Sequence, residues 1–282
     1  MQTDTLVSFV WRRMKRSHTA LAGLAIVVFM LFLAVAGPAL APEDYKEQVT
    51  DASAIRETPS AQAWMGRDAL GRDILSRILY GAHLTLGAGI LTVAIGIVFG
   101  GGFGLVSGYF GGWVDASIMR VADVMLALPD YLLALAVIAA LGPSLSNAMI
   151  AVGIAFVPKF ARIVRASSLQ QGGLDYVHSA RTLGAGHVRI LKNHVLPNCL
   201  APLLVISTLS LGTAILYTSA LSFLGLGAQP PDPEWGRMLA DGKDAYLQAP
   251  HIVLFPGLMI ALAVLGINLL GDGLRDALDV RL

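Results

Sequence analysis

The side chains that could carry out chemistry are few in this sequence and lie far apart. Its six histidines, at positions 18, 83, 178, 187, 194 and 251, are mostly isolated. His187 and His194 are seven residues apart and could share one helix face, but a zinc site needs three or four converging ligands. Cys199 is the single cysteine and begins an apolar stretch, which favours a packing role. The sequence therefore predicts no metal site.

Motifs for nucleotide binding and hydrolysis are also missing. The chain contains no G-x-x-x-x-G-K-[ST] loop, no H-E-x-x-H motif and no G-x-S-x-G elbow. Glycines recur every four residues from Gly96 to Gly112, but no Lys-Ser or Lys-Thr follows them, so they predict close helix packing rather than a phosphate loop. Only Asp123 and Asp130 are candidates for ionisable groups at membrane depth. We expect no cofactor on this chain.

The composition is that of a membrane protein. The 282 residues are 55% hydrophobic and 14% charged, against roughly 25% charged in soluble domains. A helix that spans a bilayer needs about 20 apolar residues. Five stretches without Asp, Glu, Lys or Arg are long enough: 17–42, 78–114, 131–158, 195–231 and 245–271.

These stretches predict an all-α, polytopic membrane protein with six transmembrane helices. The third helix contains Asp123 and Asp130, which is why it is not one of the five uncharged stretches. The first uncharged stretch, 17–42, is too long to be the apolar region of a cleaved signal peptide. A charged segment before the second span, residues 71–79, predicts an amphipathic helix on the membrane surface. The six expected helices are 19–41, 82–106, 117–141, 145–165, 199–223 and 251–271.

The basic residues predict the orientation, because Lys and Arg accumulate in cytoplasmic loops. With both termini inside, the inner segments hold 13 basic residues and the outer segments 7. We therefore expect the N- and C-termini to be cytoplasmic. The net charge of +1 gives no reason to expect nucleic acid as a partner.

Asp130 follows Pro129 inside the third expected span. A charge at membrane depth costs roughly 2.5–3.5 kcal/mol on insertion scales and is a functional candidate by default. One hypothesis is that Asp130 faces a substrate pathway and attracts a cationic group. The alternative is that Pro129 opens the helix and Asp130 binds the freed backbone donors or a partner residue.

The cytoplasmic segment at about 170–197 predicts two short amphipathic helices separated by Gly184 and Gly186. Asp175 is a good N-cap for the first helix, and Pro197 should end the second at about Leu196. Val177, Ala180 and Gly184 share one face of the first helix. The second has a face formed by Val188, Leu191 and Val195. The pair suits either a knob that docks into another protein or a linker that lies on the membrane.

Tyr176 to Gly184, followed by Ile190 and His194-Val195-Leu196-Pro197-Asn198, resembles the EAA signature of ABC importer permeases. In that family the signature forms the coupling helix, which sits in a cleft of the ATPase subunit. The resemblance implies an ATPase-coupling site at Asp175, Tyr176, Val177, His178, Ser179, Ala180, Arg181, Leu183, Gly184 and Ala185. His178-Ser179 stands where the pattern has Glu-Ala, so the electrostatics of that contact must differ.

Three further stretches resemble the dipeptide, oligopeptide and nickel permeases, in the subunit type with an extra N-terminal segment. They are Met65–Asp73, Gly108–Asp115, and Leu224–Gly227 with Pro230-Pro231 and Trp235-Gly236. The resemblance implies a bundle like that of type I ABC importer permeases in the bacterial inner membrane. It places the cytoplasmic N-terminus, first span and external excursion in residues 1–81, and a permease core with five spans in residues 82–282.

The same resemblance implies a non-catalytic permease that imports peptides or a related small solute. The implied partners are membrane lipid, a second homologous permease, two cytoplasmic ATPase subunits that bind ATP and Mg, and an external solute-binding protein. A secondary transporter or channel is the alternative, but it would usually show more intramembrane charges or an inverted repeat. An intramembrane enzyme is a third hypothesis, which the missing motifs disfavour.

Overall fold

A computed structural model describes residues 12–51 and 54–278 of the chain. Nearly all of the regular structure in these ranges is helical. We number its main helices as follows: α1 His18–Leu40, α2 Ile74–Phe110, α3 Gly112–Leu126, α4 Asp130–Leu141, α5 Leu145–Gly172, α6 Asp175–Thr182, α7 His187–Phe223, α8 Trp235–Gly242 and α9 His251–Leu278. The N- and C-terminal residues, which we expect to be cytoplasmic, lie outside the described ranges.

Polar side chains begin three of the long apolar helices. The Ser17 hydroxyl accepts a hydrogen bond from the Ala20 amide at 3.3 Å at the start of α1. The Asp73 carboxylate accepts from the Ser76 amide at 2.7 Å and begins α2. Ser144 begins α5 in the same way. These caps satisfy amide groups that have no partner inside the helix.

Several expected helices are longer than the uncharged stretches suggested. The segment expected on the membrane surface is instead the first turns of α2, where Ile74 and Ile78 are buried. Its polar residues are buried with them, so its amphipathic pattern reflects packing against protein rather than lipid. α5 continues to Gly172, beyond the expected end at 165. Lys159, Arg162 and Arg165 were counted with the cytoplasmic segments but lie within this helix.

The third expected span is broken, contrary to the prediction of one helix over 117–141. α3 and α4 meet at 92°, with the break at residues 127–129. Pro129 has no amide hydrogen and adopts an extended backbone, so α3 cannot continue through it. Asp130 is consequently the first residue of α4 rather than a mid-helix residue.

The direction of neighbouring helices shows that the broken pair makes one net crossing. Positions along α2 approach successively later positions along α5: Gly96 lies against Phe160, Gly104 against Ala161 and Gly108 against Arg165. α2 and α5 are therefore parallel, and the chain between them must return across the bundle. Five helices in the described residues are long and apolar enough to span a membrane, and the bent pair makes the sixth crossing.

The bundle has two different ends. We call the end that carries residues 41–73 and 224–250 the loop end, and the end that carries residues 173–195 the coupling end. At the core, α5 packs against α2, α3, α4 and α7, while α1 packs against α2 and α9 on the periphery. The site described below lies mainly at the coupling end.

The glycine stripe of α2 lies against α5, which confirms the expected close packing for its first four members. A Cβ at Gly100 would collide with the Val157 carbonyl oxygen, and one at Gly104 with that of Ala161. Gly112 does not belong to this contact, because it begins α3 with a φ of +54°. Glycine lets the two backbones approach each other within the membrane.

We expect Gly104→Leu to destabilise the bundle, because the α2 and α5 backbones would have to separate. Overpacking of this kind typically costs about 1–3 kcal/mol. Gly102→Leu is the matched control, since a Cβ there meets nothing within 4 Å. Thermal unfolding of the purified variants should show a lowered midpoint for the first and not for the second. Equal midpoints would contradict the close contact.

Candidate coupling site

α6 is the short helix at the centre of the coupling end. It begins at Asp175 after Leu174, and no side chain caps it. Asp175 was expected to be the N-cap but is the first helical residue, where its negative charge still favours the helix dipole. Gly184 ends this region with a φ of +81°, a backbone conformation that L side chains rarely adopt. The expected interruption between two helices is thus confirmed.

The predicted apolar face of α6 turns inward, toward the protein's own core. Val177 and Ile190 are fully buried, and Ala180 and Ala185 pack half-buried against the same cluster. Gly184 is not part of this packing, since a Cβ there would meet nothing within 4 Å in this chain. The small residues therefore seat α6 on its own bundle.

The opposite face of this segment is open. His178, Ser179 and Arg181 are exposed. Leu183 is 87% exposed and Val188 is 78% exposed, although both are large and apolar. The face expected for the second helix is therefore split, because Val188 points outward and Val195 is buried.

An aromatic cluster joins the coupling segment to the end of α2. The Tyr109 hydroxyl and His187 Nδ1 are 2.9 Å apart, and the Arg181 guanidinium lies 5.0 Å from the centre of the Tyr109 ring. The Phe110 ring contacts the rings of Tyr109 and His187. Sequence reasoning missed this cluster, although Tyr109-Phe110 stands in one of the stretches that carry the resemblance. The cluster therefore links α6 and the start of α7 to the end of a membrane-spanning helix.

Pro197 does not end the second helix at Leu196, as the sequence predicted. α7 runs from His187 to Phe223 through a wider π-helical turn at Leu191–Val195. The side-chain amide of Asn198 donates to the His194 carbonyl at 2.7 Å. Such turns and side-chain bonds let a helix absorb a proline. The coupling segment is therefore continuous with a membrane-spanning helix.

Two ion pairs fasten α3 to α5. Asp115 binds Arg165 through both carboxylate oxygens, at 2.5 Å each, and also accepts a hydrogen bond from Ser107. Asp123 binds Arg162 at 2.6 Å, with both side chains about half exposed. Asp123 was noted only as a charge at membrane depth. Spacing along the chain does not indicate its partner, because Asp123 and Arg162 are 39 residues apart.

Asp130 lies at the break between α3 and α4. Within the described part of the chain, its carboxylate forms neither a hydrogen bond nor an ion pair. The next residue, Tyr131, has its ring 5.3 Å from that of Tyr217 of α7. Asp130 is thus adjacent in the chain to an aromatic contact between α4 and α7.

The loop end holds a buried charge network that sequence reasoning did not find. Asp68 binds Arg72 at 2.6 Å and lies 3.6 Å from Arg77, and Asp241 contacts both arginines. Arg77 is only 1% exposed. Nearby, Arg67 binds Glu43, which raises the pKa of Arg67. The network ties Met65–Asp73 to the 224–250 loop.

Glu234 forms a second buried centre at the loop end. Its carboxylate accepts hydrogen bonds from the Ser219 hydroxyl at 2.8 Å and from the Arg237 amide at 2.9 Å. Burial raises the pKa of this carboxyl group. The indole of Trp235 donates to the Ile78 carbonyl at 3.1 Å, which packs α8 onto α2. The Trp235-Gly236 stretch therefore holds α8 against α2 at the loop end of the bundle.

The described residues contain no group of three or more His, Cys, Asp or Glu side chains that could hold a metal ion. Cys199 is buried, as the packing role requires, and its thiol faces the apolar core.

Residues 100–282 match the family described as the binding-protein-dependent transport system inner membrane component. The chain belongs to this permease family. Residues 5–59 match the N-terminal transmembrane domain of oligopeptide transport permease C. The expected resemblance is confirmed, and the chain is a membrane permease subunit of an ABC importer.

Two relatives of known name cover almost the whole chain. The dipeptide transport system permease protein of Alkalihalophilus pseudofirmus is 46% identical over 272 residues, which are 96% of this chain and 89% of the relative. The glutathione transport system permease protein of Pectobacterium atrosepticum is also 46% identical, over 96% of this chain and 90% of the relative. Family membership therefore favours the permease over the secondary transporter and the intramembrane enzyme.

The fold has a counterpart among solved structures. The inward-facing MetNI methionine ABC transporter contains a chain that aligns with a TM-score of 0.56 and 18% identity, covering 71% of this chain and 95% of that chain. A second crystal form of the same transporter gives 0.58 and 19%, with coverage of 71% and 96%. The all-α permease bundle is thus confirmed as a fold.

Proposed function

We propose that this permease subunit imports short peptides, using ATP hydrolysed by partner subunits that dock on α6. The observation that carries the proposal is the pair Leu183 and Val188, two large apolar side chains left exposed on a segment seated firmly in its own core. Apolar patches that stay exposed outside the membrane mark contacts with other proteins. The chain has no nucleotide loop of its own, so ATP and Mg belong to the partners.

The substrate class comes from the relatives, whose names specify dipeptides and glutathione. Both are short peptides with an ammonium and at least one carboxylate group. The proposed assembly contains this chain, a second permease, two ATPase subunits and an external binding protein. Two permeases would enclose a path, and movement of their coupling segments would open it to each side in turn.

Purification of the assembled complex from its native membrane tests this proposal. ATPase subunits should accompany the chain, and vesicles that contain the complex and its binding protein should accumulate dialanine or glutathione only when ATP is supplied. Isolation of the chain without any ATPase subunit, or uptake that does not need ATP, would refute the proposal.

The proposed orientation places the coupling end in the cytoplasm. With the three basic residues of α5 set aside, the segments on the cytoplasmic side hold ten Lys and Arg residues and those on the outer side hold seven. This difference agrees with the preference of Lys and Arg for the cytoplasm. A reporter that works only in the cytoplasm should be active when fused after Gln170 or at the C-terminus. It should be inactive after Thr50 or Asp241, and the reverse pattern would overturn the orientation.

A further inference from the structure

Two opposite charges lie inside membrane-spanning helices without an ion-pair partner. Asp130 begins α4, and Lys159 lies in α5. In the described residues, the ammonium group of Lys159 has no ion pair and only a cation–π contact, 6.0 Å from the Phe156 ring centre. By contrast, Asp115 and Asp123 each bind an arginine of α5. A charge left unpaired at this depth requires either water or an ionic ligand, because lipid cannot solvate it.

Asp130 and Lys159 lie at a similar depth. α4 and α5 form a hairpin whose turn is residues 142–144. Asp130 is 11 residues from the end of α4, or about 16 Å from the turn at 1.5 Å per residue. Lys159 is 14 residues from the start of α5, or about 21 Å. Both charges therefore lie at about the depth of the middle of α5, which has 28 residues.

Aromatic rings connect the two charges. From the Asp130 side, the ring of Tyr131 lies 5.3 Å from that of Tyr217, and Tyr217 lies 6.1 Å from Phe156. Phe156 is next to Lys159. All of these residues except Phe156 are partly exposed on the surface of this chain. Two phenols, a phenyl ring and a cation therefore follow one another across α4, α7 and α5, and the anionic Asp130 directly precedes the first phenol in the chain.

We propose that this row is the contact site for the transported solute in the translocation path, and that the solute is a zwitterion. Its ammonium group would bind Asp130 and its carboxylate would bind Lys159. The partly exposed rings of Tyr131 and Tyr217 offer broad apolar faces to the side chains of the solute. This inference rests on the proposed import of peptides and deepens it, because it assigns the two ends of the peptide to two residues.

Single-cysteine variants of the assembled complex in lipid vesicles test the site. Cys199 is the only cysteine of the chain and is buried, so labelling of this subunit reports on the introduced residue. Asp130→Cys and Lys159→Cys should react with a charged methanethiosulfonate reagent. Saturating dialanine or glutathione should slow the reaction at both positions, because each variant keeps the charge that binds the other end of the peptide. Val28→Cys, exposed on the peripheral α1, is the matched control and should remain unlabelled.

The outcomes separate this inference from the proposed function. Import of neither dialanine nor glutathione by the wild-type complex would overturn the peptide substrate class, and this site with it. Normal import by the wild type with no labelling at either cysteine would overturn only the site, and would indicate that the second permease covers both charges. Labelling that neither peptide slows would overturn it as well.

Transport rates provide a second measurement. Asp130→Asn and Lys159→Gln should each lower dialanine import by tenfold or more, while the amount of assembled complex and of bound ATPase stays at the wild-type level. Asp276→Asn, an exposed acid at the coupling end of α9, should leave import unchanged. Unchanged import in both site variants would refute the proposal.

Discussion

Replacement of Leu183 by glutamate should separate the permease from its ATPase partner while leaving the permease folded in the membrane. Leu183 is 87% exposed and belongs to neither buried apolar cluster of the bundle, so its replacement costs the isolated chain little. Burial of one leucine side chain in an interface contributes about 1.5–3 kcal/mol, and each 1.4 kcal/mol corresponds to a factor of ten in affinity. We therefore expect at least a tenfold loss of ATPase binding, measured by co-purification at several salt concentrations.

Leu247→Glu is the matched control for that experiment. Leu247 is 81% exposed and apolar like Leu183, but it lies at the loop end of the bundle. Its replacement introduces the same charge on the other side of the membrane and should leave ATPase binding unchanged. Equal loss in the two variants, or no loss in either, would refute the docking role of the outer face of α6.

Leu183 is a sharper probe than the residues that sequence spacing singled out. Ala180 is half-buried against the protein's own core, so Ala180→Arg would disturb the seating of α6 before it reached a partner. Gly184 has a φ of +81°, so Gly184→Trp would strain the backbone even though space is available. Loss of function in either variant would not distinguish docking from folding.

Replacement of Asp68 by alanine should cause the largest loss of stability. Asp68 is buried beside Arg72 and Arg77, whose charges would then depend on Asp241 alone. Removal of one member of a buried ion pair typically costs about 3–5 kcal/mol, because the remaining charge is left uncompensated. We expect the apparent midpoint of thermal unfolding to fall by about 5 °C or more.

Asp232→Ala is the comparison for this loss, because it removes an acid from the same end of the bundle. The Asp232 carboxylate lies outside the charge network and is partly exposed. Its replacement should change the midpoint by no more than about 1 °C, as surface substitutions do. A midpoint for Asp68→Ala that matches this control would show that the arginines do not depend on Asp68.

The sequence by itself determined the class of the protein and the position of its membrane-spanning segments. Stretches without charge can span a bilayer only as helices, since no other single segment satisfies its own backbone groups in lipid. The period-four glycines also predicted a close helix contact, because a four-residue repeat keeps the glycines on one face. Gly184 marked the end of α6 for a similar reason, as glycine adopts positive φ without strain. Each of these features depends on local chemistry.

Only the tertiary structure decided how those segments meet. The 92° break at Pro129 converts one expected span into two helices. At the start of the second, Tyr131 lies beside Tyr217, which is 86 residues away in sequence. Likewise, the pairing of Asp68 with Arg77 and Asp241 joins two loops that spacing along the chain cannot connect.

The direction of α6 shows the same limit most clearly. Its periodicity identified an apolar face but could not show whether that face meets a partner or the protein's own core. In the folded chain, Val177 is buried within the bundle and Leu183 points outward. Burial depends on which helices surround a residue, and those neighbours are brought together only when the chain folds.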